Sequence, residues 1–356
     1  MHVWVAPISG GRFVIQLAAI KHLLEDHKGE SFHKPDIALC TSGGNIATLV
    51  AMASGWDPRA IERICRRMKS TMLFEPHVRL GLLGLVIGFF KGSLYKTANG
   101  VGEFVKDYFT SKNIQDIEMW SGCYDMTEKK GTLFCNKSDS QCFLNLGECS
   151  RNKRCLTKCV YAGGDLELIG NYISASASVP VVVEGRCIKD GYYVDGGLMS
   201  ASPLTHLKED LCRQASEKDI PLHITYFSPV DMESEMDKEA MNVIGNWKTV
   251  TDCLTRQLLI LDRVSAVDIL SAGNEGGGNI RNRTWEYSPD ILSKILEIRE
   301  KLPRSVLEFF PKQDLNVDYR RFEGAAVIST MELNRGNFYL NFWWQSCELD
   351  STIDMM

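Results

Sequence analysis

Cys40-Thr41-Ser42-Gly43-Gly44 is the stretch that decides the fold prediction. It follows residues 36–39, Asp-Ile-Ala-Leu, which are typical of a short buried strand, and it precedes a helix-like stretch, residues 45–52. A serine between a strand and a helix, with glycine beside it, is typical of a nucleophile elbow. The positive end of the following helix favours negative charge on or near the serine oxygen. Ser42 is therefore predicted to be a nucleophile that needs a base beside it to attack a carbonyl.

The segments around this stretch predict an α/β fold. Val3 to Ile8 is typical of a first strand, and residues 13–25 carry apolar side chains at helical spacing. Another helix begins after Asp57, where Pro58 suits the first turn. Strand, helix, strand and helix in this order indicate a mostly parallel central sheet flanked by helices in three layers.

The rest of the chain is predicted to form an extension on this core. We expect a first domain over residues 1–230 and a mainly helical C-terminal extension over residues 231–356. Residues 250–272 have the strongest helical pattern in this part. The chain then shows two strand patterns, residues 325–333 and 338–344.

Composition limits the class of protein. The chain has 356 residues, of which 44% are hydrophobic and 24% charged, as in a globular protein with a full core. The net charge of −5 argues against a nucleic-acid binder. The first residues lack the pattern of a signal peptide, and the longest uncharged apolar stretch, Leu80 to Phe90, is too short to span a bilayer. We expect an intracellular protein, cytoplasmic or peripheral on membranes, whose oligomeric state the sequence leaves open.

Twelve cysteines are many for such a protein, and five of them lie between residues 135 and 159. This segment has no Cys-x-x-Cys pair and no histidine, so a zinc site is weakly indicated. Free thiols are the main interpretation, with disulfides and a bound metal as alternatives. Two glycosylation sequons, at Asn136 and Asn282, are interpreted as chance matches.

Two further motifs complete a candidate catalytic site. Gly10-Gly11 ends the first strand, and adjacent parallel strands bring their carboxyl ends to the same edge of a sheet. The N–H groups of Gly10, Gly11 and Gly43 are predicted to form an oxyanion hole, and Arg12 adds positive charge beside it. Asp195 leads the turn Asp195-Gly196-Gly197 after a short strand and is predicted to be the base for Ser42.

These motifs resemble those of the patatin-like phospholipase family. The run from Ala175 to Pro180 is similar to a small-residue block of that family, and Tyr193 to Leu198 is similar to the block that holds its aspartate. The resemblance covers about residues 3–208. It implies a lipid acyl hydrolase with a Ser–Asp dyad and an acyl-serine intermediate, acting on a phospholipid or another glycerolipid at a membrane surface.

The same resemblance implies a role for each matching residue. Ser42 is the nucleophile, Asp195 its base, and Gly10 and Gly11 oxyanion donors, while Gly44, Gly196 and Gly197 support these positions. No metal and no organic cofactor are implied. The chain departs from the family pattern at Ser9 and Cys40, where the family usually has glycine.

Alternatives to this interpretation stay open. Ser42 could be only a helix N-cap, and Asp195 only a turn former. A histidine-dependent serine esterase would use His206 or His223, which both follow Asp195 in the chain. A catalytically weakened scaffold that binds lipid or protein is favoured by the departures at Ser9 and Cys40. The stretch Leu80 to Phe90 is either a core helix or an apolar flap near the site.

Overall fold

The computed structural model describes a large part of the chain. The described residues are 1–10, 13–26, 34–68, 74–76, 93, 95–97, 99–144, 157–180, 182–218, 220, 222–227, 257–259, 261–262, 280–286, 326–333 and 338–345.

Helices and strands alternate along the first half of the chain. The elements are β1 (His2–Ala6), α1 (Phe13–Asp26), β2 (Ile37–Cys40), α2 (Gly43–Ala53), α3 (Pro58–Arg67), β3 (Phe74–Pro76), β4 (Tyr95–Thr97), α4 (Gly100–Tyr108), β5 (Glu118–Asp125), β6 (Lys130–Cys135), β7 (Thr157–Tyr161), α5 (Leu166–Ser176), β8 (Arg186–Ile188), β9 (Gly191–Asp195), α6 (Leu204–Glu217), β10 (Leu222–Phe227), β11 (Ile280–Glu286), β12 (Ala326–Leu333) and β13 (Phe338–Gln345).

Most of these strands form one central sheet. Its order is β11-β12-β13-β10-β1-β2-β5-β6-β7, and the centre from β13 to β5 is parallel. Antiparallel pairs occur at the margins, including β6 and β9 on β5 and β8 on β9. The prediction of a mostly parallel sheet flanked by helices is confirmed.

Strand periodicity divides the core into two layers. In β1, Val3 and Val5 pack with Leu207 and Leu211 of α6 on one face of the sheet. Trp4 and Ala6 point to the other face, where the core is built from helices α1 to α5. Successive side chains of a strand alternate between faces, so a fully buried β1 contributes to both layers. The sheet is therefore covered on both sides, which explains why its parallel strands are apolar throughout.

The end of the chain adds strands to the same sheet. β12 and β13 confirm the two strands predicted there, and β13 lies parallel beside β10. β11, which pairs antiparallel with β12, was not predicted. The predicted helix over 250–272 has helical residues at 257–259 and 261–262, and the remainder lies outside the described residues. The domain boundary near residue 230 stays a prediction.

The sequence also led to expectations about membrane-spanning helices and about the cysteines between residues 135 and 159. Within the described ranges, no helix combines the length and the apolar character needed to cross a membrane. The stretch Leu80 to Phe90 lies outside those ranges. Cys135, Cys142 and Cys159 are free thiols, while Cys149 and Cys155 also fall outside the described residues.

Asn136 begins one of the two sequons, and its side chain is fully buried. Its Oδ1 accepts a hydrogen bond from the Met119 N–H at 2.8 Å. Its Nδ2 donates to the carbonyl oxygens of Ile114 at 2.6 Å and Ile117 at 3.0 Å. The amide therefore joins the start of β5 to the preceding turn, and a buried amide engaged in this way is not open to glycosylation.

We predict that Asn136→Ala lowers the free energy of unfolding by about 3 kcal/mol, because it leaves buried backbone groups without partners. Urea denaturation measures this loss. The matched control is Asn99→Ala, which removes an exposed amide whose Oδ1 accepts one hydrogen bond from Arg186. We expect the control to cost less than about 1 kcal/mol. Equal effects of the two substitutions would contradict the assigned role of Asn136.

Candidate active site

Ser42 sits in a strained turn between β2 and α2. Its φ of 54° and ψ of −125° lie outside the regions that non-glycine residues favour. The serine is 4% exposed, and its side chain makes no capping hydrogen bond to α2 although it occupies the N-cap position. The N-cap alternative therefore does not account for the residue. Strain of this kind costs on the order of 1–3 kcal/mol and is concentrated at functional sites.

The two glycines after Ser42 allow close packing of the turn. A Cβ on Gly44 would overlap the carbonyl oxygen of Ala6, at the end of β1. A Cβ on Gly43 would overlap the carbonyl oxygen of Gly10 and the hydroxyl of Ser9. Only glycine fits such approaches, so the sequence Gly43-Gly44 is what lets α2 start directly against the end of β1.

The same packing brings the predicted oxyanion loop to the elbow. Gly10 has a φ of 51° and lies with its backbone against Gly43. Gly43 is the first residue of α2, so its N–H has no acceptor within the helix. The structure thus brings Gly10 and Gly43 together beside Ser42, while Gly11 and Arg12 lie outside the described residues. Ser9 is buried, and its hydroxyl has no hydrogen-bond partner within the described parts of the chain.

Strand β5 pairs with both β2 and β9 and so brings Asp195 to the turn that carries Ser42. Residue Cys40 at the end of β2 is paired with Ser121, so the chain at Ser42 comes to the level of Cys123. Asp195 at the end of β9 is paired with Cys123 itself. Over these residues β6 pairs with one edge of β5. Strand β9 therefore pairs with the other edge of β5, the edge to which β2 pairs over the preceding residues. Ser42 and Asp195 therefore meet at one point along β5, although they are far apart in sequence.

The carboxyl group of Asp195 is buried, with the residue 5% exposed. Its Oδ1 accepts a hydrogen bond from the Gly197 N–H at 2.7 Å, whereas Oδ2 has no hydrogen-bond partner of normal length among the described residues. Burial raises the pKa of Asp195 to about 6, against the smaller lowering effects of the Ser42 hydroxyl and the Gly197 N–H. A carboxyl with this pKa is charged near neutral pH and has an oxygen available for a proton.

Gly196 and Gly197 fix the turn that carries this carboxyl group. A Cβ on Gly196 would overlap the carbonyl oxygen of Gly122 on β5. A Cβ on Gly197 would lie 3.0 Å from Asp195 Oδ1 and 3.4 Å from the side chain of Ile8, the residue before the oxyanion loop. The pair of glycines thus lets the aspartate turn pack against both β5 and the end of β1.

Ser176 connects the elbow to β5, and the sequence prediction assigned it no role. Its buried Oγ accepts hydrogen bonds from the Ser42 N–H at 3.0 Å and from Asn45 Nδ2 at 2.9 Å, and it donates to the Gly122 carbonyl at 2.6 Å. Two residues later, the carbonyl of Ser178 accepts from the Asp195 N–H at 2.9 Å. The end of α5 therefore holds both members of the candidate pair. The run of small residues from Ala175 was the signal for this role.

The two histidines of the alternative mechanism lie elsewhere. His223 stacks on His2 with ring centroids 4.4 Å apart. Both lie at the amino ends of their parallel strands, whereas Ser42 follows the carboxyl end of β2. His206 lies in the first turn of α6, where burial lowers its pKa. Among the described residues, no imidazole forms a hydrogen bond with Ser42 or Asp195.

Cysteine chemistry is not favoured at the elbow. Cys40 is fully buried, with its Sγ 3.1 Å from the hydroxyl of Thr48, and burial raises its pKa to about 12. Its thiol is therefore protonated and serves as a small apolar side chain. Among the described residues, one group has the spacing of metal ligands. It is formed by Glu118, Cys135 and Cys142 and lies at the amino end of β5. It does not adjoin Ser42 and Asp195.

Comparison with known proteins identifies a family. The family model described as patatin-like phospholipase matches residues 9–208. This match covers more than half of the chain, and it includes Ser42, the end of α5 and the Asp195 turn. The curated proteins contain no match to the chain.

The packing of the aspartate turn leads to a stability prediction. Gly196→Ala should lower the free energy of unfolding by about 2 kcal/mol or more, because its Cβ would overlap a β5 carbonyl. Gly102→Ala on α4 is the matched control, since its Cβ would enter open space within a helix. We expect the control to be neutral or up to about 1 kcal/mol more stable. Chemical denaturation of both variants tests this, and an unchanged Gly196→Ala would contradict the close packing.

Proposed function

Because the chain belongs to the patatin-like phospholipase family, we propose that it hydrolyses acyl esters of lipids with Ser42 and Asp195 as a catalytic dyad. The observation that carries the proposal is that a strained serine and a buried carboxyl group, one oxygen of which lacks a hydrogen-bond partner among the described residues, converge at one position on β5. A serine becomes a nucleophile when an adjacent base accepts its proton, and Asp195 is the base that the geometry offers.

The reaction would proceed in two halves. Asp195 accepts the proton of the Ser42 hydroxyl as Oγ attacks the ester carbonyl, and it then returns the proton to the leaving alcohol. The acyl group remains on Ser42 as an ester. Water, deprotonated by Asp195, attacks this ester and releases the fatty acid, and the proton returns to Ser42. A pKa near 6 suits both directions of this transfer at neutral pH.

Stabilisation of the oxyanion is assigned to backbone N–H groups. The N–H of Gly43 at the start of α2 and the N–H groups of Gly10 and Gly11 are the proposed donors, with the helix end adding positive potential. The packing of Gly10 on Gly43 supports this assignment. Arg12 would add positive charge beside these donors.

The proposed substrate is a phospholipid or another glycerolipid, reached by transient contact with a membrane surface. The family supports a lipid substrate in general, and the specific lipid is part of the proposal. We propose that the hydrolase domain extends over residues 1–230 and that residues 231–356 form an extension of it. No metal or organic cofactor is needed for the steps described.

The scaffold alternative has less support. Ser9 and Cys40 depart from the family pattern, and both are buried beside the turn between β2 and α2 that carries Ser42. A scaffold without activity has no use for a strained serine or for a buried carboxyl with a free oxygen, since both lower stability. Their presence together favours catalysis.

We predict that Ser42→Ala and Asp195→Asn each reduce fatty-acid release by about 1000-fold or more, because each removes a member of the dyad. The assay uses vesicles of mixed phospholipids and neutral lipids without added metal. Matched controls are Ser140→Ala and Asp139→Asn, which change exposed residues on a turn away from the site. These controls should keep wild-type rates.

Three results would decide between the candidate functions. Loss of activity in both dyad variants, with folding intact, supports the Ser–Asp mechanism. Activity that survives Asp195→Asn but not His206→Ala would support a histidine-dependent esterase. Absence of fatty-acid release by the wild-type protein on all lipids would support a non-catalytic scaffold.

The raised pKa of Asp195 predicts the pH dependence of the reaction. The base must be ionised, so kcat/KM should rise with pH through about 6 and level off above it. An ordinary aspartate would place this rise near its usual value of 3.8, which the protein shifts by burial. Initial rates measured between about pH 4 and 9 give the profile. A profile that is flat across pH 6 would contradict Asp195 as the base.

A further inference from the structure

The helical residues at 257–259 and 261–262 lie beyond the family-matched part of the chain, and Leu259 packs against the candidate site. Leu259, 2% exposed, forms an apolar cluster with Ile8 and Ala201, and Leu258 packs on its margin. Ile8 is the residue next to Ser9-Gly10, and Ala201 follows the Asp195 turn. Leu259 therefore covers the junction between the two loops that build the site.

A backbone hydrogen bond joins the same two loops. The Ile8 N–H donates to the carbonyl of Ala201 at 2.8 Å. The side chain of Ile8 also lies 3.4 Å from the place that a Cβ on Gly197 would occupy. The position of Ile8 thus links the oxyanion loop to the aspartate turn, and the packing of Leu259 against it restricts both.

Asp262 fastens this segment to the core. Its buried carboxylate accepts hydrogen bonds from the hydroxyls of Ser202 at 2.7 Å, Thr205 at 2.9 Å and Tyr226 at 3.0 Å. Ser202 lies just before α6, Thr205 lies in its first turn, and Tyr226 belongs to β10 beside β1. One carboxylate therefore fixes the segment to two elements that flank the site, in a network whose strength depends on every partner being present.

We propose that Leu259 and Asp262 are positioning residues, which hold Ile8 to Gly10 in the geometry that oxyanion binding requires. This inference rests on the proposed acyl hydrolase function. It assigns to a segment outside residues 9–208 a role in the rate of the reaction rather than in lipid binding. Leu259 acts through Ile8, and Asp262 acts by keeping Leu259 in place.

The expected consequence is a change in rate without a matching change in affinity. Leu259→Ala removes the side chain that packs on Ile8, so the N–H of Gly10 is no longer held at a fixed distance from the developing oxyanion. Small displacements of such donors cost about tenfold to a hundredfold in rate. We therefore expect kcat to fall by about tenfold or more, while KM changes less than about twofold.

The experiment compares Leu259→Ala with Leu261→Ala, which truncates a neighbouring leucine that is 59% exposed. Rates on phospholipid vesicles are divided by the amount of folded enzyme, measured by circular dichroism. Hydrogen exchange of the peptide that contains Ile8 is measured in parallel, since its N–H donates to Ala201. Leu259→Ala should lose rate and exchange faster at Ile8, and Leu261→Ala should match wild type in both.

Conservative variants separate positioning from simple loss of folding. Leu259→Met, which nearly conserves volume, should recover most of the rate, and Asp262→Asn should lower kcat with KM retained. If Leu259→Ala does not fold, Asp262→Asn and Leu259→Met carry the comparison. Unchanged kcat and unchanged Ile8 exchange in both Leu259→Ala and Asp262→Asn would overturn the proposal. If the wild type has no activity, the proposed function fails, while faster exchange at Ile8 would still show that this segment holds the loop.

Discussion

Strand β5 is the constraint on which the arrangement of the site depends. Along one edge it pairs first with β2 and then with β9, so the ends of these two strands meet. Ser42 and Asp195 follow directly from that meeting point. The close approach of Gly196 to the Gly122 carbonyl, and the hydrogen bond from Ser176 to the same carbonyl, both secure it. A displacement of β5 would separate the candidate nucleophile from its base.

The site is maintained at a cost in stability. The backbone of Ser42 is strained, and Asp195 is buried without a full set of hydrogen bonds. Because folding raises the pKa of Asp195 from 3.8 to about 6, its ionisation opposes folding by about 3 kcal/mol above pH 6, and this cost disappears as the pH falls below 3.8. The surrounding layers supply the compensating stability, since β1 and β2 are buried on both faces.

Local sequence was sufficient to place Ser42 and Asp195 in tight turns flanked by glycines, because such turns restrict residue types within a few positions, while their catalytic roles stay a prediction. It was also sufficient to predict strands β12 and β13, because each is a continuous strand pattern in the sequence. It did not predict the antiparallel placement of β9 on β5 or the link through Ser176. Nor did it assign a role to Leu259 and Asp262. These depend on contacts between residues distant in the chain, which spacing within one segment does not encode.

The most direct test of the dyad is covalent labelling with a fluorophosphonate probe, followed by peptide mapping. The probe forms a bond to a serine oxygen only when that serine is activated by a base. We predict one labelled peptide, with the adduct on Ser42, and loss of labelling in Asp195→Asn. Labelling at another serine, or labelling of Ser42 that is unchanged in Asp195→Asn, would contradict the assignment of Asp195 as the base.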